Sequence, residues 1–241
     1  MTTVSSVAWS SVGKKILSGL TGLALVLFVI VHLVGNLTLF IGPGAFNGYA
    51  RFLEHLVHGW FIIVFEIGLI TLLLIHILTG VYVAWVDKER ARPVKYQVRG
   101  NAGGGSRKTL SSRSMIITGI VVGFFVIWHV NMFKFGSAGI YTGADGTAMK
   151  DLYTLVANSF KNVWITAGYV AVMILLGFHL RHGGWSAFQS LGWNNDRYID
   201  WLYRIALILA FLLAIGFLIL PLYFFFFVDP SAVQAAGPGG H

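Results

Sequence analysis

Four histidines, His32, His76, His129 and His179, each lie inside an apolar run long enough to cross a lipid bilayer. The ring nitrogens of an imidazole can ligate a metal, relay a proton or make hydrogen bonds near neutral pH. In hydrocarbon such a ring is costly unless it has a partner. A single membrane histidine is ordinarily an interhelical hydrogen bond. Four of them, on four successive runs, require a shared explanation: together they hold something, or they pass protons.

The elements that must position them follow from composition. Of 241 residues, 56% are hydrophobic and only 11% are charged, and the mean hydropathy is +0.76. A soluble domain carries about a quarter charged residues. The chain reads as an all-α integral membrane protein, one membrane domain whose five transmembrane helices form a bundle. The spans fall at about 16–41, 60–86, 114–135, 163–180 and 198–228, and a Gly/Pro-rich, loose tail covers 229–241. The first run is too long for a signal-peptide core and is read as a retained span. The stretch AFNGYARFLEHLVHGW reads as an amphipathic surface segment, and a second surface helix is expected around Asp151–Phe160. The 87–113 loop is basic, with Asn101–Ser106 as a flexible middle. The absence of cysteine excludes disulfides, thiolate-held zinc or iron–sulfur clusters, and haem attached through CxxCH.

Lysine and arginine number thirteen on the N-terminal side of the spans and four on the other. The positive-inside rule then places the N-terminus in the cytoplasm and the C-terminus outside. Trp60, Trp85, Trp164, Trp185 and Trp201 fall near span ends, as interfacial aromatics do.

A helix rises about 1.5 Å per residue, which puts His32 about 26 Å beyond Lys15 and His129 about 24 Å beyond Arg113. Spans two and four run the other way, with His76 about 22 Å past Phe61 and His179 about 24 Å past Val163. In a hydrocarbon layer of about 30 Å, the four form two pairs at two depths: His32 with His129 toward the outside, His76 with His179 toward the cytoplasm. Two bis-histidine haems, one above the other, require this arrangement. Zinc suits it less, because each pair offers two ligands where a tetrahedral ion takes about four. Gly35, Gly80, Gly123 and Gly177 lie near the histidines and would leave room for a flat macrocycle, although glycines in membrane helices usually serve packing. Asn36 and Thr79, one turn beyond His32 and His76, are candidates to support a ligand or a propionate, and Arg181 is a candidate propionate partner. Glu66 is the acidic residue well inside a span, about 15 Å nearer the outer face than His76. It is expected to be protonated, paired or beside water, as an interhelical hydrogen bond or as a proton carrier.

The stretches LTGLALVLFVIVHLVGNLTLFIGPGAFNGYARFL, HILTGVYVAWVDKERARPVKY and HLRHGGWSAFQSLG resemble the five-helix, dihaem cytochrome b subunit of succinate:quinone oxidoreductases, the single-anchor class of succinate dehydrogenases and fumarate reductases. The likeness runs to about Gly192, and span five matches in type only. It implies two haem b groups, with axial ligands His32 and His129 for the outer and His76 and His179 for the inner. It implies a quinone substrate, menaquinone in particular, and a bacterial cytoplasmic membrane. The implied partners are an FAD-containing flavoprotein subunit and an iron–sulfur subunit, which would carry the succinate chemistry; this chain would be their electron-transfer anchor. The glutamate that some members carry just before the fourth ligand is replaced here by Gly177 and Phe178, so its role is not carried over. His182 belongs to the HLxHG pattern and is read as an interfacial or propionate contact. Two other readings stay open: a dihaem cytochrome serving nitrate reductase, hydrogenase or formate dehydrogenase, and a proton-coupled transporter with a histidine relay. Nucleic acid is not an expected partner, since the net charge of +8 follows from the topology.

Overall fold

The computed structural model describes residues 9–87, 110–193, 195 and 197–229. The expected flexible middle of the basic loop and nearly all of the expected loose tail lie outside them. Helix α1 (Ser11–Asn36) passes into a tight turn, Leu37–Phe40. Gly42, at φ 129°, then turns the chain, and Pro43 opens α2 (Pro43–His55), a position where its missing N–H is no loss. Val57, His58 and Gly59 follow in the left-handed region (φ 53°, 55° and 85°). For a β-branched residue that conformation is strained, at about 1–3 kcal/mol. Helix α3 (Trp60–Tyr82) continues through a wide turn, Val83–Asp87.

Helix α4 spans Leu110–Phe133. A short antiparallel hairpin follows, β1 (Ile140–Thr142) with β2 (Ala148–Lys150), Tyr141 opposite Met149. At its turn the Thr147 amide and hydroxyl donate to Asp145, which holds that carboxyl below the usual range. Helix α5 (Leu152–Lys161) is capped by Asp151, which accepts from the Thr154 amide. Helix α6 (Val163–Ser190) is capped by Asn162, which accepts from the Trp164 amide. Helix α7 runs from Ile199 to Phe227.

Among the described residues, five stretches are helical, long and apolar enough to cross a membrane, and both expected surface helices are present as α2 and α5. The fourth span was expected to stop at 180, but α6 continues to Ser190. Arg181-His182-Gly183-Gly184 reads as a helix end, yet its polar groups and glycines find partners on α7. The Arg181 guanidinium donates to the Tyr203 hydroxyl at 3.0 Å. A Cβ on Gly184 would come within 3.2 Å of Ala206, so the two backbones approach closely there. The hairpin was not anticipated: three-residue strands leave no usable alternation.

The chain folds as two compact units. Among the described residues, the first draws on 9–27, 69–87, 110–121 and 175–211. In it Lys14 is 4% exposed, with its ammonium 3.0 Å from Asp87 Oδ1 and 4.0 Å above the Tyr82 ring. Among the described residues, the second draws on 28–68, 122–174 and 212–229. Its core is built from Leu39, Val156, Ala157, Phe160, Tyr169, Leu220 and Phe224. Asn47, 1% exposed, ties α2 to α5: its amide donates to Asp151 at 3.0 Å and accepts from the Tyr153 N–H at 2.9 Å.

Candidate functional site: two histidine pairs

In the first unit His76 of α3 and His179 of α6 face each other, ring centroids 6.3 Å apart and planes at 76°. Each ring is held by a second helix in the same way. His76 Nδ1 is 3.2 Å from the Ser18 carbonyl and 3.5 Å from the Thr21 hydroxyl of α1. His179 Nδ1 is 3.3 Å from the Thr118 hydroxyl of α4, with the Met115 carbonyl beside the ring. Gly22 and Gly119 complete the two cradles, since a Cβ on either would lie 3.1 or 3.2 Å from the histidine Cε1. Carbonyl, threonine three residues on and glycine four residues on share one helix face.

This cradle settles which ring nitrogen carries the proton. The Ser18 carbonyl only accepts, so Nδ1 of His76 must donate. The threonines agree: Thr21 donates its hydroxyl proton to the Leu17 carbonyl at 2.7 Å, and Thr118 to the Ser114 carbonyl at 3.0 Å, leaving a lone pair toward each imidazole. A neutral imidazole with Nδ1 protonated keeps the Nε2 lone pair for ligation.

In the second unit His32 of α1 and His129 of α4 lie 5.8 Å apart with planes at 88°. His129 Nδ1 is 3.0 Å from the Tyr169 hydroxyl of α6. His32 is stacked between Phe28 at 5.3 Å and Phe217 at 5.9 Å. Two imidazoles on opposite sides of one metal, with bonds of about 2 Å, hold their centroids roughly 6 Å apart. Both pairs have that spacing, and His32 and His129 sit among aromatic rings.

The structure thus brings together the histidines paired by depth. The other candidates are placed as follows. The Asn36 amide donates to the His32 carbonyl at 2.8 Å, and the buried Thr79 hydroxyl to the Ile75 carbonyl at 2.6 Å; both brace the backbone of a histidine's own helix. Arg181 meets Tyr203, and His182 lies within electrostatic range of His179. Glu66 is ion-paired with Lys134, the two side chains 34% and 44% exposed. Of the glycines expected to make room, a Cβ on Gly80 would meet nothing within 4 Å, whereas one on Gly35 would strike the Tyr49 ring at 2.6 Å, so Gly35 serves packing. Sequence reasoning missed Ser18, Thr21, Gly22, Met115, Thr118, Gly119 and Tyr169. The Thr-Gly dipeptide on both α1 and α4 is a signal that could have found four of them.

Residues 15–102 match the family described as succinate dehydrogenase/fumarate reductase transmembrane subunit. The chain is 29% identical over 160 residues to the succinate dehydrogenase cytochrome b558 subunit of Bacillus subtilis (strain 168), covering 66% of this chain and 69% of that protein. The chain is similar to the membrane anchors of succinate dehydrogenase and fumarate reductase. The matched segment contains His32 and His76, with the cradle residues Ser18, Thr21 and Gly22. No solved structure gives a significant match.

Proposed function

We propose that this anchor is a dihaem cytochrome b that carries electrons between an iron–sulfur subunit and membrane quinone. The observation that carries the reading is the pair of imidazole couples, each at the spacing of two ligands across one metal, with Nδ1 of His76, His129 and His179 engaged. His76 and His179 would hold one haem, His32 and His129 the other; a bound haem supplies one-electron chemistry at its iron. The protein's part is to fix ring tautomer and orientation through the Ser18, Thr21, Met115, Thr118 and Tyr169 partners. Apolar walls, Phe28 and Phe217 among them, keep water from the ligands. Asn36, Thr79, Arg181 and His182 are the proposed supports around the macrocycles. The proposed partners are a flavoprotein and an iron–sulfur subunit on the cytoplasmic side of a bacterial membrane, and menaquinone is the proposed quinone. Glu66, toward the outer face, is the proposed proton carrier.

The test is purification of the native complex. Two b haems per chain, co-purified covalent flavin and iron–sulfur subunits, and succinate-dependent quinone reduction are expected. A chain without haem would sink the reading. Haem accompanied by nitrate reductase, hydrogenase or formate dehydrogenase subunits would move the anchor to another respiratory complex.

A further inference from the structure

The two histidine pairs are braced by different chemistry. His76 leans on the Ser18 backbone carbonyl, which no substitution removes, and His179 on the Thr118 hydroxyl. The His32–His129 pair leans on one side chain: among the described residues, His129 Nδ1 meets the Tyr169 hydroxyl, and His32 has no Nδ1 hydrogen bond. Tyr169 is 5% exposed. Phe125, Trp128 and Phe160 pack its ring at 4.9, 5.1 and 5.0 Å, so the hydroxyl is fixed in place. It stands 4.0 Å from Met132 Sδ, a weak acceptor that carries no proton. A phenol proton directed at the sulfur leaves an oxygen lone pair for His129 Nδ1–H.

We infer that Tyr169 is the positioning residue of the His32–His129 pair: its hydroxyl selects the His129 tautomer whose Nε2 is free to ligate, and sets the basicity of that ligand. The inference rests on the haem reading proposed above. A hydrogen bond from the outer ring N–H makes an imidazole the more basic ligand, and a more basic ligand favours ferric over ferrous iron. Tyr169→Phe removes one oxygen and keeps the ring among its neighbours, so a purely packing role would be unaffected.

The measurement is a spectroscopic redox titration of the intact complex. In Tyr169→Phe, one of the two b components is expected to shift toward the ferrous form by roughly tenfold in its equilibrium constant, about 59 mV for one electron. The other component stays where it was. Thr118→Val, the matching change beside His179, is expected to move the other component and spare the first. Unchanged potentials in Tyr169→Phe, equal shifts in both components, or loss of both haems would each overturn the inference. Loss of one haem alone would support it, as the extreme of the same effect. A wild-type complex without b haem would defeat the haem reading itself, whereas two wild-type haems indifferent to Tyr169→Phe would defeat only this inference.

Discussion

Replacing His76 or His179 with alanine is expected to abolish one spectral component, and replacing His32 or His129 the other, because each pair shares one ring-to-ring contact. Difference spectra of the four variants check this; loss of the same component in His32→Ala and His76→Ala would refute the pairing. Glu66 permits a clean experiment of another kind. Its ion pair with Lys134 is partly exposed on both sides, and such pairs contribute about 0–1 kcal/mol. Glu66→Gln should therefore assemble normally. If the carboxylate carries protons, the variant loses quinone turnover while electron transfer from succinate to an artificial acceptor at the soluble subunits survives. Normal quinone turnover would leave Glu66 as an ion-pair partner only. The four histidines were legible in the sequence because a polar ring amid twenty apolar residues stands out, and helix rise alone sorted them into pairs. The groups that hold them were not. The Ser18 and Met115 carbonyls carry no signature, since every residue has one, and Tyr169 lies ten residues before His179 among other aromatics.

At the scale of elements, the glycines show how a helix face is shaped for a ring on its neighbour. Gly22→Val and Gly119→Val each put atoms where a single Cβ already comes within 3.2 Å of an imidazole. Both are expected to remove the His76–His179 component while leaving the His32–His129 component in place, which difference spectra would separate. Gly35→Ala, pressed instead against Tyr49, should disturb local packing without selecting that component. The spans themselves could be read from composition, because a lipid-facing helix has to be apolar nearly all round. The extension of α6 to Ser190 could not, since its partners Tyr203 and Ala206 belong to α7. The left-handed turn at Val57–Gly59 was equally hidden, as two of its three residues are not glycine.

For the whole molecule, the uneven distribution of lysine and arginine makes topology a direct prediction. The natural chain has no cysteine, so single cysteines report without background. Ala102→Cys is expected to react with an impermeant maleimide only after the membrane is opened from the cytoplasmic side, and Ala144→Cys in intact cells. The reverse pattern would invert the orientation and, with it, the side on which soluble partners dock.

The buried Lys14–Asp87 pair also bears on the order of assembly. Lys14 leaves the ribosome seventy-three residues ahead of its partner. Until the second span is in place, its ammonium has no counter-charge and must stay at the water boundary. Closing α1 onto α3 is therefore expected to wait for the arrival of Asp87. Breaking a buried ion pair from one side costs about 3–5 kcal/mol, so Asp87→Asn should leave the hairpin open. The reading is amine reactivity: Lys14, 4% exposed in the finished fold, should resist acylation from the cytoplasmic side in the wild type and be modified in Asp87→Asn. Equal protection in both would mean that the hairpin closes without waiting for the charge.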